Sequence, residues 1–274
     1  MFLHESEYRP WEGELITFGK QTVGISDDAA LELFKQYKRE VKPQDITDKD
    51  FRDSQTRHSD QTIEDSQLFK LIGNINYNCM DVSDYEGANI IHNLNYPIDE
   101  TLEAKFDIVY TGGCLDNVFN PVSLLVNSTK LLKPGGRVFH YESFKGLIGA
   151  YLYFSPEWFY SYYAVNDFRD VKVYVCHQAE KGRNRFDYDT DIYLWKPEFT
   201  RHSGFDYFEA AKHAQGILYC MVVAEKGDIS TSEEMPIQLQ YLDSSNCKNW
   251  REYRGLDRPL LKSQRNAPSP TLFN

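Results

Sequence analysis

Apolar residues along this chain fall into short runs separated by stretches in which they recur at three- and four-residue steps. Glu14-Leu15-Ile16-Thr17-Phe18-Gly19, Ile75 to Met80, Ala88 to His92, Phe106 to Tyr110 and Arg137 to Tyr141 read as strands. Between them, Ser26 caps a predicted helix with Leu31, Phe34 and Tyr37 on one face and Asp27 and Asp28 in its first turn. Ile63, Leu68 and Leu71 mark a second helix, closed by Gly73. A third starts at Asn120 and Pro121 and carries Val122, Leu125, Val126, Thr129 and Leu132 on its apolar side. Short apolar strands alternating with helices predict a mostly parallel sheet covered on both faces.

Later segments follow a different rhythm. The aromatic stretch Tyr151 to Tyr163 contains Ser155-Pro156, a good helix start. Val171 to Cys176 and Ile217 to Ala224 are two β-rich runs. From Val41 to about Gln61 the chain is polar and without a period that buries a face, which predicts a lid-like surface loop. Residues 177–215 form an insert longer than a hairpin needs, expected to cover the substrate side. Beyond Lys226 the chain turns polar, and its last residues, Asn266 to Asn274, predict a poorly packed tail. The division that follows is one domain over 1–228 and a polar extension over 229–274.

The run Leu131-Leu132-Lys133-Pro134-Gly135-Gly136-Arg137-Val138-Phe139-His140-Tyr141-Glu142 reads as a helix end, a sharp turn and a buried strand. It resembles the class I S-adenosylmethionine-dependent methyltransferases, in which a helix ending L-K-P-G-G precedes the fifth strand. The segment ILYCMVVAEK resembles that family's seventh strand. The resemblance covers about residues 12 to 228. It implies an α/β, Rossmann-like fold: a mostly parallel seven-stranded sheet with an antiparallel terminal strand and helices on both faces. It also implies S-adenosylmethionine as cofactor and a small-molecule methyl acceptor.

Composition narrows the partners. Formal net charge is −11, from 41 acidic against 30 basic residues, which lacks the basic footprint of a general nucleic-acid or anionic-membrane binder. No stretch approaches the roughly 20 apolar residues of a bilayer span. The five cysteines are an odd number without metal-type spacing, suggesting reduced thiols and a cytoplasmic location. No metal site is predicted, and the oligomeric state is left open.

Chemistry in such a sheet gathers at the carboxyl ends of the central strands. The resemblance assigns cofactor binding to the loop after the first strand, Phe18, Gly19 and Lys20, where the family's G-x-G-x-G is thinned to Gly19 and Gly24. Asp81, ending the second strand, suits the ribose hydroxyls because its two oxygens can each accept a hydrogen bond. Asn93 stands where the family often has an Asp for the adenine amino group. Gly112 and Gly113 begin a fourth segment, in which relatives commonly read G-G-x-L-E-H-V-F and this chain has Asp116 and Asn117. An Asn cannot serve as the base, so His140 and Glu142, which alternation puts on one face of the fifth strand, are the catalytic candidates, beside His92 at the end of the third. The aromatic run from Tyr151 to Tyr163 fits core packing as well as a wall facing a sulfonium or a planar substrate.

The expected activity is methyl transfer from S-adenosylmethionine to an oxygen or nitrogen of a small molecule. The alternative is a non-catalytic relative that binds a nucleotide-like ligand or acts as a partner-binding scaffold. A nicotinamide-dependent dehydrogenase is disfavoured, since Gly19 and Gly24 do not supply G-x-G-x-x-G.

Overall fold

A computed structural model describes residues 1–47, 63–145, 149–180, 188–195 and 217–238. Its strands are β1 (Glu12–Phe18), β2 (Asn74–Asp81), β3 (Ile90–Ile91), β4 (Phe106–Gly112), β5 (Leu132–Lys145), β6 (Asp170–Glu180), β7 (Tyr188–Trp195) and β8 (Ile217–Glu225). Its α-helices are α1 (Phe2–Tyr8), α2 (Asp27–Gln36), α3 (Asp65–Ile72), α4 (Pro121–Leu131) and α5 (Pro156–Val165).

Helix starts follow from side-chain oxygens that satisfy orphan amides. Ser26 Oγ accepts from Ala29 N at 3.3 Å, Asn120 Oδ1 from Ser123 N at 3.3 Å, and Ser155 Oγ from Trp158 N at 3.3 Å. Pro121 and Pro156 occupy first turns, where their missing N–H costs nothing. α1, which the sequence pattern did not announce, packs Phe2 against Trp11, Phe69 and Phe139.

The strands form one sheet in the order β3-β2-β1-β4-β5-β8-β6-β7. From β3 to β5 all neighbours are parallel, while β8 is antiparallel to both β5 and β6, and β7 to β6. This is the expected Rossmann-like α/β sheet, with Val171 to Cys176 and Ile217 to Ala224 paired antiparallel at its end, and with one correction: it has eight strands rather than seven. The extra strand arises from the insert at 177–215. β6 runs on to Glu180, and 188–195 return as β7 along its outer edge. Those strands extend the sheet instead of covering the substrate side; the rest of the insert lies outside the described residues.

Apolar faces sort the helices. Trp11, Leu15, Phe34, Phe69, Ile72 and Phe139 form the core beneath α1, α2 and α3. Ile16, Phe18, Leu124, Leu125, Phe159 and Tyr163 form the opposite core beneath α4 and α5. No α-helix stands between β2 and β3, and only the 3₁₀ turn Glu100–Leu102 stands between β3 and β4. The uncovered part of the sheet is accordingly polar: Asn76 and Asn78 donate to the Glu14 carboxylate, and Asn89 donates to Asn78.

Further expectations shift in detail. α4 ends at Leu131, and Leu132 already pairs with Phe106. The Lys133-Pro134-Gly135-Gly136 turn thus sits within β5 as a register shift, with Gly135 at φ +78°. Of the predicted 41–61 loop, 48–61 lie outside the described residues; the remainder contains the 3₁₀ turn Pro43–Asp45. The polar extension begins as a packed segment: Tyr162 Oη donates to Ser232 O at 2.9 Å and Asn166 Nδ2 to Glu234 O at 3.0 Å. Residues 239–274 lie outside the description. Among the described residues no helix is long and apolar enough to cross a membrane.

Candidate functional site

The chain leaves β1 toward β2 and β3 on one side and returns to β4 on the other, so the strand order reverses between β1 and β4. A crevice opens at such a reversal, outside the carboxyl ends of the strands. A second cleft, lined by Arg9, Glu12, Asp107 and Arg137, lies at the amino ends. There Lys133 and Glu14 N already hold Asp107, so that cleft is a structural junction.

On the crevice side, Gly19 turns the chain sharply after the buried Phe18. Its φ of +72° is a conformation that side chains disfavour, and its amide donates to Met80 O at 2.8 Å. This brings β1's loop beside β2's end: a β-carbon on Gly19 would sit 3.6 Å from Asp81 Oδ2. The other Asp81 oxygen accepts from Val82 N at 2.5 Å.

Lys20 points elsewhere. Its buried ammonium pairs with Glu64 and, at 2.8 Å, with Asp65. Asp65 also accepts from Gln21 N at 2.7 Å and Tyr77 Oη at 2.8 Å. The acid at the start of α3 therefore anchors the whole β1 loop, a role that sequence reasoning missed. Its only sequence signal was its place in a helix's first turn.

Asn93 forms its own turn: Oδ1 accepts from Asn95 N at 3.1 Å and Asn95 Nδ2 at 2.9 Å. Both acceptor positions of the amide oxygen are thus occupied. Gly112 is required for a steric reason, because a β-carbon there would collide with the Gln21 amide oxygen and the Tyr110 hydroxyl. Gly113, at φ +66°, meets nothing within 4 Å of its would-be β-carbon and faces the open side.

Consecutive residues of β5 clasp the loop after β4. Tyr141 O accepts from Gly113 N at 2.9 Å, Glu142 Oε2 accepts from Leu115 N at 3.1 Å, and Ser143 Oγ donates to Asp116 Oδ2 at 2.6 Å. Asn117 Nδ2 adds bonds to Gly113 O and Asp116 Oδ1, at 2.7 and 2.9 Å. The positions departing from the family pattern, Asp116 and Asn117, are parts of this clasp.

His140 and Glu142 do share a face, and both are fully buried. Thr111 Oγ1 lies 2.6 Å from His140 Nδ1 and 2.6 Å from Glu142 Oε1, and His140 Nε2 lies 2.5 Å from Tyr163 Oη. Burial pushes His140 down to about 3, so its ring is neutral. Burial raises Glu142 well above the usual carboxylate range, against the lowering bond from Thr111 and with a further push from Asp116. The four groups share protons in two self-consistent ways. With Glu142 ionised, Thr111 donates to it and accepts from Nδ1–H, while Tyr163 donates to Nε2. One added proton at Glu142 reverses all three bonds and moves the ring hydrogen to Nε2.

The Cys114 thiol connects these regions. It is raised by burial and by the carboxylates of Glu142, Asp81 and Asp116. Among the described residues no cluster of His, Cys, Asp and Glu could hold a metal ion.

No protein-family model and no curated protein matches the chain. Several solved structures do. The methyltransferase domain of a citrinin polyketide synthase is 11% identical, with a TM-score of 0.37 over 80% of this chain and 47% of that one. Haemonchus contortus phosphoethanolamine N-methyltransferase 2, solved with S-adenosyl-L-methionine, is 11% identical, with a TM-score of 0.38 over 82% of this chain and 51% of that one. The chain spans about half the length of these two. A Thermotoga maritima methyltransferase, described as a possible histamine N-methyltransferase, is 12% identical, with a TM-score of 0.36 over 82% and 87%. By its strand order β3-β2-β1-β4-β5 and its antiparallel end, the chain has a Rossmann-like α/β fold.

Proposed function

We propose that this chain transfers a methyl group from S-adenosylmethionine to an oxygen or nitrogen of a small molecule. The observation that carries the reading is the approach of Asp81 to the positive-φ turn at Gly19, beside the reversal of strand order between β1 and β4. A carboxylate beside backbone that a ligand can approach closely is what a ribose needs. When bound, S-adenosylmethionine supplies an electrophilic methyl group on a sulfonium.

Each residue then has a defined task. Phe18, Gly19 and Lys20 would present backbone to the cofactor, and Asp81 would accept from the ribose hydroxyls. Asn93 would receive the adenine amino group after giving up a bond from Asn95. Gly112 and Gly113 would form the floor toward the acceptor. His140 and Glu142 would work from beneath, holding the Cys114-Leu115 backbone through Glu142 and taking or releasing one proton along the Thr111 chain. Their burial keeps them from touching the acceptor, so most of the rate would come from alignment of nucleophile and methyl group.

Calorimetry with S-adenosylhomocysteine tests the reading. Micromolar binding, weakened at least about tenfold in Asp81→Ala by loss of a bidentate acceptor, is the expected result; absence of binding at millimolar ligand would overturn it. A second reading, a non-catalytic relative, is favoured by the occupied Asn93 oxygen and by the burial of both candidate catalytic groups. It expects the same binding with no turnover of any acceptor.

A further inference from the structure

The rim of the crevice carries two aromatic side chains that the core does not use. Phe119 follows the clasped loop after β4 and is 80% exposed, and Tyr151 follows β5 and is 64% exposed. Their rings nevertheless meet, centroids 5.8 Å apart and planes at 83°. Backbone bonds hold them in place: Tyr151 N donates to Asp116 O at 2.7 Å, and Asn120 N, next to Phe119, donates to Asn95 Oδ1 at 2.8 Å. Two fixed rings at right angles, beside the crevice and open to water, form a corner into which a flat ring fits, face to one and edge to the other.

Charge restricts what enters. Among the described residues of the loops that rim the carboxyl ends of β1 to β5, the acidic groups include Asp81, Asp84 and Glu86. Basic side chains are fewer: Lys20 is held by Glu64 and Asp65, His92 Nε2 lies 3.0 Å from Tyr96 O, and Lys145 ends β5. An anionic acceptor would meet a rim in which acids outnumber bases among the described residues, whereas an amine would gain from both the acids and the ring faces.

We infer that Phe119 and Tyr151 form the acceptor subsite, and that it takes a small flat aromatic molecule, neutral or cationic, and excludes anionic ones. The inference rests on the methyltransferase reading for what happens next. An ammonium or hydroxyl acceptor first gives its proton to water; the lone pair so freed forms the new bond to the methyl carbon, and the carbon–sulfur bond breaks with its electron pair left on sulfur as S-adenosylhomocysteine.

Three probes of similar size decide it: 2-phenylethylamine, 2-cyclohexylethylamine and phenylacetate, titrated by saturation-transfer NMR into the full chain loaded with S-adenosylhomocysteine. The expected order has phenylethylamine binding at least about threefold tighter than its cyclohexyl counterpart, with phenylacetate weakest. Phe119→Ala and Tyr151→Ala should each weaken phenylethylamine about three- to tenfold and leave the affinity for S-adenosylhomocysteine unchanged, while Phe119→Tyr restores binding. Equal affinity for the flat and puckered rings, tighter phenylacetate, or indifference to both alanine variants would overturn the subsite. Should S-adenosylhomocysteine itself not bind, the methyltransferase reading falls separately, and the same titration of the unloaded chain still decides the ring corner.

Discussion

Glu142 would ionise near pH 4.3 in an unfolded chain; in the fold, burial raises it well above that. A group whose folded pKa is raised favours the folded state below its unfolded pKa, and that contribution is lost as pH rises. Glu142→Gln keeps the neutral shape: its oxygen accepts from Leu115 N, its amide donates to Thr111, and Thr111 then donates to His140 Nδ1. The stability difference between variant and parent should therefore grow in the variant's favour from about pH 4 to pH 8, read by urea denaturation at stepped pH. A constant difference would show that Glu142 is not held in its neutral form. His140 slopes the other way. Its folded value of about 3 lies below its unfolded value of about 6.5, so its contribution is present above about 6.5 and fades as pH falls toward 3. The sequence displayed both residues on one strand face, but not Thr111 and Tyr163, which come from β4 and α5 and complete the chain of bonds.

Elements were legible where their signals are local. The caps Ser26, Asn120 and Ser155 and the prolines after two of them mark helix starts from within a few residues. Asn120 does more than cap α4, since its amides also hold Asn95 in the loop after β3. Asn120→Ala should cost about 1 kcal/mol for the cap, measured by chemical denaturation, and should loosen the Phe119 corner as well. A loss near zero would mean that water replaces the cap. α1 and β7 were not legible. α1 is short and gains its place from Phe2 packing on Trp11 and Phe139, and β7 is defined by pairing with β6 across an insert.

At the scale of the molecule, the two apolar cores lie on opposite faces of the sheet, and the reversal of strand order between β1 and β4 sets where a crevice is expected. A ligand there binds the folded state alone, so it stabilises by mass action. S-adenosylhomocysteine at 100 times its Kd should add about 2.7 kcal/mol, a rise in Tm on the order of 5 °C or more for a chain of this size. Differential scanning calorimetry should show that rise in the parent and lose most of it in Asp81→Ala at the same ligand concentration. An unchanged rise in the variant would move the binding site away from β2's end.

The order of strands and helices, α1 and β7 apart, and the end of α4 before β5 were determined by the sequence, because periodicity, caps and glycine turns act over a few residues. So was the placement of Asp81 and Gly19 at strand ends. Tertiary structure decided what those residues face. It turned Lys20 into an anchor through Asp65, occupied the Asn93 oxygen with Asn95, and sealed His140 and Glu142 beneath the loop after β4. It also left Phe119 and Tyr151 at the rim, and added an eighth strand. Those outcomes depend on groups brought together from distant parts of the chain, whose burial and partners no local pattern records.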